Sequence, residues 1–280
     1  MCIRDRRWLL YCSDPWRNRV IFNYGDGEMA PMDPRTRASL LASNSLVRDP
    51  RVQWLIDTGC PEARFWDDEI LYHDPTVTPV APSKLPPSRA FPGTNLVVMR
   101  SSWDANAVWA SVRWMDWYDM HGHADCASFL IYCKTPVAPD TGFYDPGSFH
   151  RGNYGSRTIA HNTITVRDPK ANLPLNDGCQ RMKEQRTWSW AVGQAAWVYN
   201  QDAQDRGDLL AFQHHRLYDY CAGDATMAYR REHLKEFIRQ CVFLRPGVFI
   251  VFDRVETTRP DLEKRWLMPV SYTHLTLPTN

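Results

Sequence analysis

The sequence lacks a Cys-x-x-Cys pair, a glycine-rich phosphate loop, internal repeats and low-complexity tracts. The first absence removes a thiolate zinc ribbon and a thioredoxin-like redox centre. The second removes the usual cradle for nucleotide phosphates. No apolar run approaches the roughly 20 residues of a membrane-spanning helix, so no membrane partner is expected. An excess of either charge sign is also missing. Lys and Arg number 33 against 32 Asp and Glu, for a net charge of +1. That balance gives no global basic field for nucleic acid, although a local basic groove for an acidic ligand stays open. Cys12, Cys60, Cys126, Cys133, Cys179, Cys221 and Cys241 read mostly as small buried hydrophobes. Aromatics, by contrast, are plentiful, with 12 Trp and 12 Tyr. Core packing and sugar stacking both use such residues, and composition does not separate them.

The two ends read differently from the rest. Met1 to Asp5 can be encoded by ATGTGTATAAGAGAC, and Val270 to Leu275 by GTCTCTTATACACATCT. The second string contains the reverse complement of the first. Such a relation is expected of sequencing-adapter read-through in an assembled metagenomic fragment. Residues 1–6 and 269–280 are therefore set aside as artefact. What remains reads as a piece truncated at both ends.

Residues 7–80 read as helices followed by a linker. RTRASLLASNSLVRDPRVQWLIDTG spaces its apolar residues three and four apart, and Asp49 before Pro50 is a helix N-cap signal. ARFWDDEILYHDP predicts a short helix stopped by Pro75. DPTVTPVAPSKLPPSRAFPGT is proline-dense and reads as extended linker. Over 81–268 the character changes to strands. NLVVMRSSW, AVWASVRWMDW, ASFLIYCKTPVA, RTIAHNTITV, RTWSWAVGQAAWVYN and FIRQCVFLRPGVFIVFDRVE are β-branched and aromatic, the last a hairpin through Arg245-Pro246-Gly247. The fold class expected is α+β, a helical part followed by a large antiparallel β-sandwich.

The stretch MHGHADCASF holds His121, His123 and Asp125 at alternate positions. On a strand all three would share a face, with His121 and Asp125 about 13 Å apart. One metal could then reach two of the three, and the other has separate work. Downstream, PDTGFYDPGS carries Asp140 and Tyr144, NYGSRTIAHNTITV carries Tyr154, Arg157, His161 and Asn162, and YDYCAGDATMAY carries Asp219, Asp224 and Tyr229. Two close histidines, an aspartate and a further histidine are ligand types for zinc or non-haem iron; the same residues also occur as ordinary polar strand positions. Asp125 reads as an orienting acceptor for a histidine. Arg157 reads equally as a carboxylate clamp or an ion-pair partner. Asp219 and Asp224 read as turn residues.

LPPSRAFPGTNLVVMRSSWD, HGHADCASFLIYCKTPVAPDTGFY, SRTIAHNTITVRDP, GDATMAY and VFLRPGVFIVFDRV with LEKRWLM occur in this order. Together they resemble heparinase II/III-type polysaccharide lyases, heparinase II most, from about residue 20 to 268. The resemblance implies that residues 7–80 are the last helices of an α/α toroid and that a substrate cleft lies between toroid and sandwich. It implies a structural zinc ion held by His123, Asp140 and His161, with His121 facing the cleft as a catalytic residue. Tyr144 and Arg157 are further catalytic candidates, and Tyr154 and Asn162 substrate-binding ones.

The implied reaction is β-elimination on a uronate-containing, heparin- or heparan sulfate-like glycosaminoglycan, an acidic polysaccharide partner. The family draws an Asn or His and its principal Tyr from the toroid, and residues 7–120 hold no match for them. The chain alone is therefore expected to be inactive. The same family implies periplasmic or secreted location in a bacterium and leaves room for a homodimer. The alternatives are an alginate or oligouronate lyase of the same architecture and a non-catalytic, zinc-stabilised carbohydrate-binding sandwich. A cupin-like iron oxygenase using both His121 and His123 fits the helical lead-in and the AHNT segment poorly.

Overall fold

The computed structural model describes residues 7–16, 20–21, 24–25, 30–62, 66–117, 122–142, 150–171, 178–181 and 204–269. Helices come first: α1 (Trp8–Cys12), α2 (Pro34–Val47), α3 (Pro50–Gly59) and α4 (Trp66–Tyr72), with a two-stranded ribbon of β1 (Val20–Ile21) and β2 (Ala30–Pro31) between α1 and α2. Aspartate and proline start the two long helices. Asp33 accepts from the Thr36 N–H and Asp49 from the Arg51 N–H, and Pro34 and Pro50 occupy the position where the missing N–H costs nothing. Leu40, Leu41, Val52, Leu55 and Ile56 close a small helical core with Leu10 of α1.

Two antiparallel sheets follow. The first contains β3 (Arg89–Phe91), β4 (Leu96–Arg100), β5 (Trp109–Arg113), β6 (Phe129–Cys133) and β7 (Thr135–Ala138), paired in chain order. A two-stranded piece joins β8 (Ile164–Arg167) to β13 (Glu263–Trp266). The second large sheet contains β9 (Asp208–His214), β10 (Tyr218–Asp224), β11 (Leu234–Leu244) and β12 (Val248–Thr257), ordered β12-β11-β10-β9.

The five-stranded sheet is covered on both faces, and its sequence shows why. All five residues of β4 and all five of β5 are buried. Val97, Met99, Ala110, Val112 and Phe129 point into a core shared with Phe237, Cys241 and Phe243 of β11 and Cys221 of β10. The alternate residues Leu96, Val98, Trp109, Leu130 and Tyr132 meet Tyr11 and Cys12 of α1 on the other side. Strands buried at every position and largely apolar are what a doubly covered sheet demands. β12, on the sheet edge, alternates exposed and half-buried residues instead. The two large sheets approach closely at Gly223, beside a register shift in β10; a Cβ there would lie 2.3 Å from the Trp114 indole.

The architecture is α+β, as the sequence predicts, and the β11–β12 hairpin turns at Arg245–Gly247. Several local expectations change. GHADCAS is not a strand: residues 122–128 form a loop, and β6 starts only at Phe129. A turn closed by the Ser128 N–H on the Asp125 carbonyl, with Ala127 at φ 61°, breaks the extended path. ASFLIYCKTPVA splits into β6 and β7 at Lys134, also at positive φ. In RTIAHNTITV only Ile164 onward is strand, because Thr158–Ala160 coils into a 3-10 turn. Asp219 is not a turn residue but a buried residue of β10, whereas Asp224 does accept from the Thr226 N–H at the strand end. The RTWSWAVGQAAWVYN segment lies outside the described residues.

Candidate metal centre

Three loops meet at the end of the five-stranded sheet. The first, 122–128, leads into β6; the second follows β7 and carries Asp140; the third, 158–163, leads into β8 and carries His161. Backbone and side-chain bonds lock them together. The Thr158 hydroxyl donates to the Ala124 carbonyl at 2.8 Å, and the Thr163 hydroxyl donates to that of Cys126 at 3.1 Å. The Asn162 amide donates to the Phe129 and Pro139 carbonyls at 2.7 and 2.9 Å. Gln180 adds a reciprocal pair with the Cys126 backbone, accepting from its N–H and donating to its carbonyl.

At the centre, His161 Nδ1 lies 2.9 Å from Asp140 Oδ1, which also accepts from the Gly142 N–H at 2.7 Å. Gly142 has to be glycine for this. A Cβ would sit 2.1 Å from the Gly155 carbonyl oxygen and 2.6 Å from His161 Cε1. The His123 ring, also buried, has its centroid 5.2 Å from that of His161. Asp125 is drawn aside: Arg113, at the end of β5, holds its two oxygens at 2.5 and 2.6 Å.

The electrostatics follow from burial and charge. Burial opposes a charge on His161, but the Asp140 carboxylate against it, with Asp125 beyond, outweighs this and raises its pKa. Burial likewise acts to raise the Asp125 carboxyl; the Arg113 guanidinium, helped by His161 and His123, outweighs it and holds the pKa below the ordinary value.

Two buried atoms, Oδ2 of Asp140 and Nε2 of His161, find no hydrogen-bond partner among the described residues. Buried polar atoms of this kind are costly, by about 1–3 kcal/mol each, unless something else meets them. Asp125, Asp140 and His161 each offer a ligand atom, all within 4.8 Å of one another. Ligand atoms around tetrahedral zinc stand about 3.4 Å apart, so modest closure would suffice. The cluster is able to hold a metal ion, and the residue types present suit it: imidazole and carboxylate.

The structure thus brings Asp140 and His161 together with Asp125, while His123 stands beside them with its ring centroid 5.2 Å from that of His161 and is not one of the three. His121 and Tyr144 lie outside the described residues. Asn162 is corrected: it is wholly buried and braces two loops through its amide, so it has no surface to offer a sugar. Arg157 is largely buried too, whereas Tyr154 is 37 % exposed with its hydroxyl 2.8 Å from that of Thr141. Arg113 and Gln180 were not singled out by sequence. Their partners are distant in the chain and no spacing announces them.

Residues 83–268 match the C-terminal domain of heparinase II/III-like proteins. The chain belongs to the heparinase II/III-like family. Similar solved structures include the heparan sulfate lyase HepC from Pedobacter heparinus, 17 % identical with a TM-score of 0.56, covering 89 % of this chain and 31 % of that one. A structure of heparinase III is 13 % identical with a TM-score of 0.59, covering 92 % of this chain and 34 % of that one. The heparinase III-BT4657 gene product gives 13 %, 0.56, 89 % and 31 % in the same terms. At these identities the likeness concerns the fold, and the chain spans about a third of the length of these relatives. No curated protein matches at the level of sequence.

Proposed function

We propose that this heparinase-type chain is the sandwich-bearing part of a polysaccharide lyase that cleaves a uronate-containing glycosaminoglycan of the heparan sulfate kind. The observation that carries the reading is the match of residues 83–268 to the heparinase II/III-like C-terminal domain. The heparan sulfate lyase and heparinase III among its structural neighbours favour this substrate class over alginate.

In the proposed reaction a base removes the C5 proton of the uronate, the C4–O bond to the leaving sugar breaks, and a C4=C5 double bond forms. The departing oxygen is reprotonated. The C5 proton is weakly acidic, so the carboxylate must be neutralised as charge develops, a task for preorganised donors at the cleft. His121 is assigned the cleft, with Tyr154, which is accessible, as a sugar contact. Tyr144 and Arg157 are secondary candidates. His123, Asp140 and His161 would hold zinc. Once bound, zinc would supply folding energy and rigidity, tying together three loops and fixing the residues beside His121. The remaining base and neutralising group are assigned to sequence beyond this chain, and the chain alone is assigned no turnover. Export to the periplasm or cell exterior fits such a substrate.

The test has two arms. Elemental analysis of the purified chain should find about one zinc per chain, lost in a His123→Ala, His161→Ala double variant; zinc retained in that variant would defeat the ligand assignment. A full-length parent should raise ultraviolet absorbance from unsaturated uronide on heparan sulfate, with His121→Ala costing about 10²-fold or more. A parent with bound zinc but no turnover on heparan sulfate or alginate would establish a non-catalytic sandwich instead.

A further inference from the structure

Arg239 lies in β11, on the four-stranded sheet, and belongs to none of the three loops that form the centre. It is fully buried. Its charge is matched by Asp253, its register partner on β12, through Nε at 2.7 Å and Nη2 at 2.6 Å. The third nitrogen, Nη1, reaches across the sandwich. It donates to the Ala127 carbonyl at 2.6 Å and to the Asn162 carbonyl at 2.7 Å. One guanidinium therefore holds both the loop carrying His123 and Asp125 and the loop carrying His161. The contacts fall two residues after Asp125 and one after His161.

The held backbone is not a relaxed one. Ala127 sits at φ 61°, buried completely, in the left-handed region that is unfavourable for a residue with a Cβ. Such a conformation persists when its surroundings over-determine it. A buried carbonyl meeting a charged donor is one such determinant, because a charge-assisted bond is about twice as strong as a neutral one. Phe129 and Phe237, with ring centroids each 5.4 Å from the guanidinium carbon, wall the group in.

We propose that Arg239 is a positioning residue for the metal centre: from the opposite sheet it fixes the separation of the two histidine-bearing loops, and so sets metal affinity without touching the metal. The inference rests on the metal reading above. A lysine cannot replace it. Its single ammonium is a compact point of charge, unable to fork onto Asp253 and still bridge two carbonyls.

The experiment uses the 280-residue chain and two variants, Arg239→Lys and the double variant Arg239→Met with Asp253→Leu. The second removes the ion pair as a unit, a change that buried pairs often tolerate in folding. Zinc affinity is read by chelator competition, and ligand geometry by the visible spectrum of the cobalt(II)-substituted protein. Both variants should bind zinc about 10–100-fold more weakly, the scale of losing a group behind the ligands, with an altered cobalt spectrum. A folded variant, of either kind, with wild-type affinity and an unchanged cobalt spectrum would overturn the proposal, whatever its melting temperature, since a purely structural brace predicts that pattern. Wild-type chain that binds neither metal would instead overturn the metal reading, and this proposal with it.

Discussion

Among the described residues, two aspartate–histidine pairs stand in this sandwich, and they are finished differently. In β10, Asp219 is fully buried and both of its oxygens are taken. His214 Nδ1 lies 2.6 Å from Oδ1, while Ser88 donates to Oδ2 at 2.5 Å and Arg245 at 2.6 Å. Ser88 in turn accepts from the Arg100 N–H at 3.1 Å, so the cluster joins the start of the five-stranded sheet to the four-stranded one. At Asp140 and His161 the same two residue types leave Oδ2 and Nε2 unmet among the described residues. A saturated carboxylate with an arginine on it is a brace. An unsaturated one, beside a second buried imidazole, is able to hold a metal ion. Residue identity does not distinguish the two pairs; the count of satisfied lone pairs does.

The largest effect is expected at the saturated pair. Asp219→Ala would remove the carboxylate that meets the Arg245 guanidinium, whose side chain is 11 % exposed, and the acceptor of the Ser88 hydroxyl. Removing one partner of such a pair costs about 3–5 kcal/mol. Chemical denaturation should show that loss with and without zinc alike. A loss below about 1 kcal/mol would mean that solvent reaches the cluster and that it braces nothing.

Next comes the unsaturated pair, where the expected dependence is reversed. Zinc at about 100 times its dissociation constant should stabilise the chain by roughly 2–3 kcal/mol. His161→Ala should abolish that increment. Asp219→Asn, which leaves the centre intact, should keep it. Zinc that stabilises the His161→Ala variant as much as the parent would erase the distinction between the clusters.

The sequence made some of this visible and hid the rest for identifiable reasons. Helix starts were readable at Asp49-Pro50 because a cap is a local device. The β11–β12 hairpin was readable from alternation on both sides of a proline-glycine turn. Local reasoning failed where a residue other than glycine adopts positive φ, at Ala127 and Lys134, since nothing in ADCAS or CKTP signals a bend. It failed on His123 and Asp125 for the same cause. Their alternate spacing implies one strand face, but a loop carries them, and Arg113 takes the aspartate. His161 and Asp140 could be named as a pair only through family resemblance, 21 residues apart in sequence. Asp219 looked like a turn because its partners Ser88 and Arg245 are 131 and 26 residues away.

A smaller effect should separate the geometry of the open pair from its chemistry. Gly142→Ala leaves every ligand in place but drives a methyl into the Gly155 carbonyl and the His161 ring, at 2.1 and 2.6 Å. The first neighbour is backbone and has to move as a segment. Overpacking of this kind costs about 1–3 kcal/mol. Zinc titration should show weakened binding together with the lower melting temperature. Unchanged affinity would show that the His161 ring can shift without disturbing the centre.

The smallest effect calibrates both clusters against an aspartate that is satisfied but exposed. Asp33 caps α2, accepting from the Thr36 N–H and hydroxyl at 2.7 and 2.8 Å. These bonds to Thr36 favour the charged carboxylate, which is what lowers its pKa below the ordinary value. A depressed folded-state pKa means the stabilisation is fully present above the unfolded value near 3.9 and is lost as pH falls through the lower, folded one. Asp33→Ala should cost about 0.5–1 kcal/mol at neutral pH, the low end for caps because water competes for the same groups. The difference between variant and parent should shrink below about pH 4. Asp33→Asn, which keeps an acceptor oxygen without the titrating proton, should recover most of the loss and remove its pH dependence. A cost at Asp33 equal to that at Asp219 would show that carboxylate saturation, rather than burial with a paired arginine, governs the energetics of these aspartates.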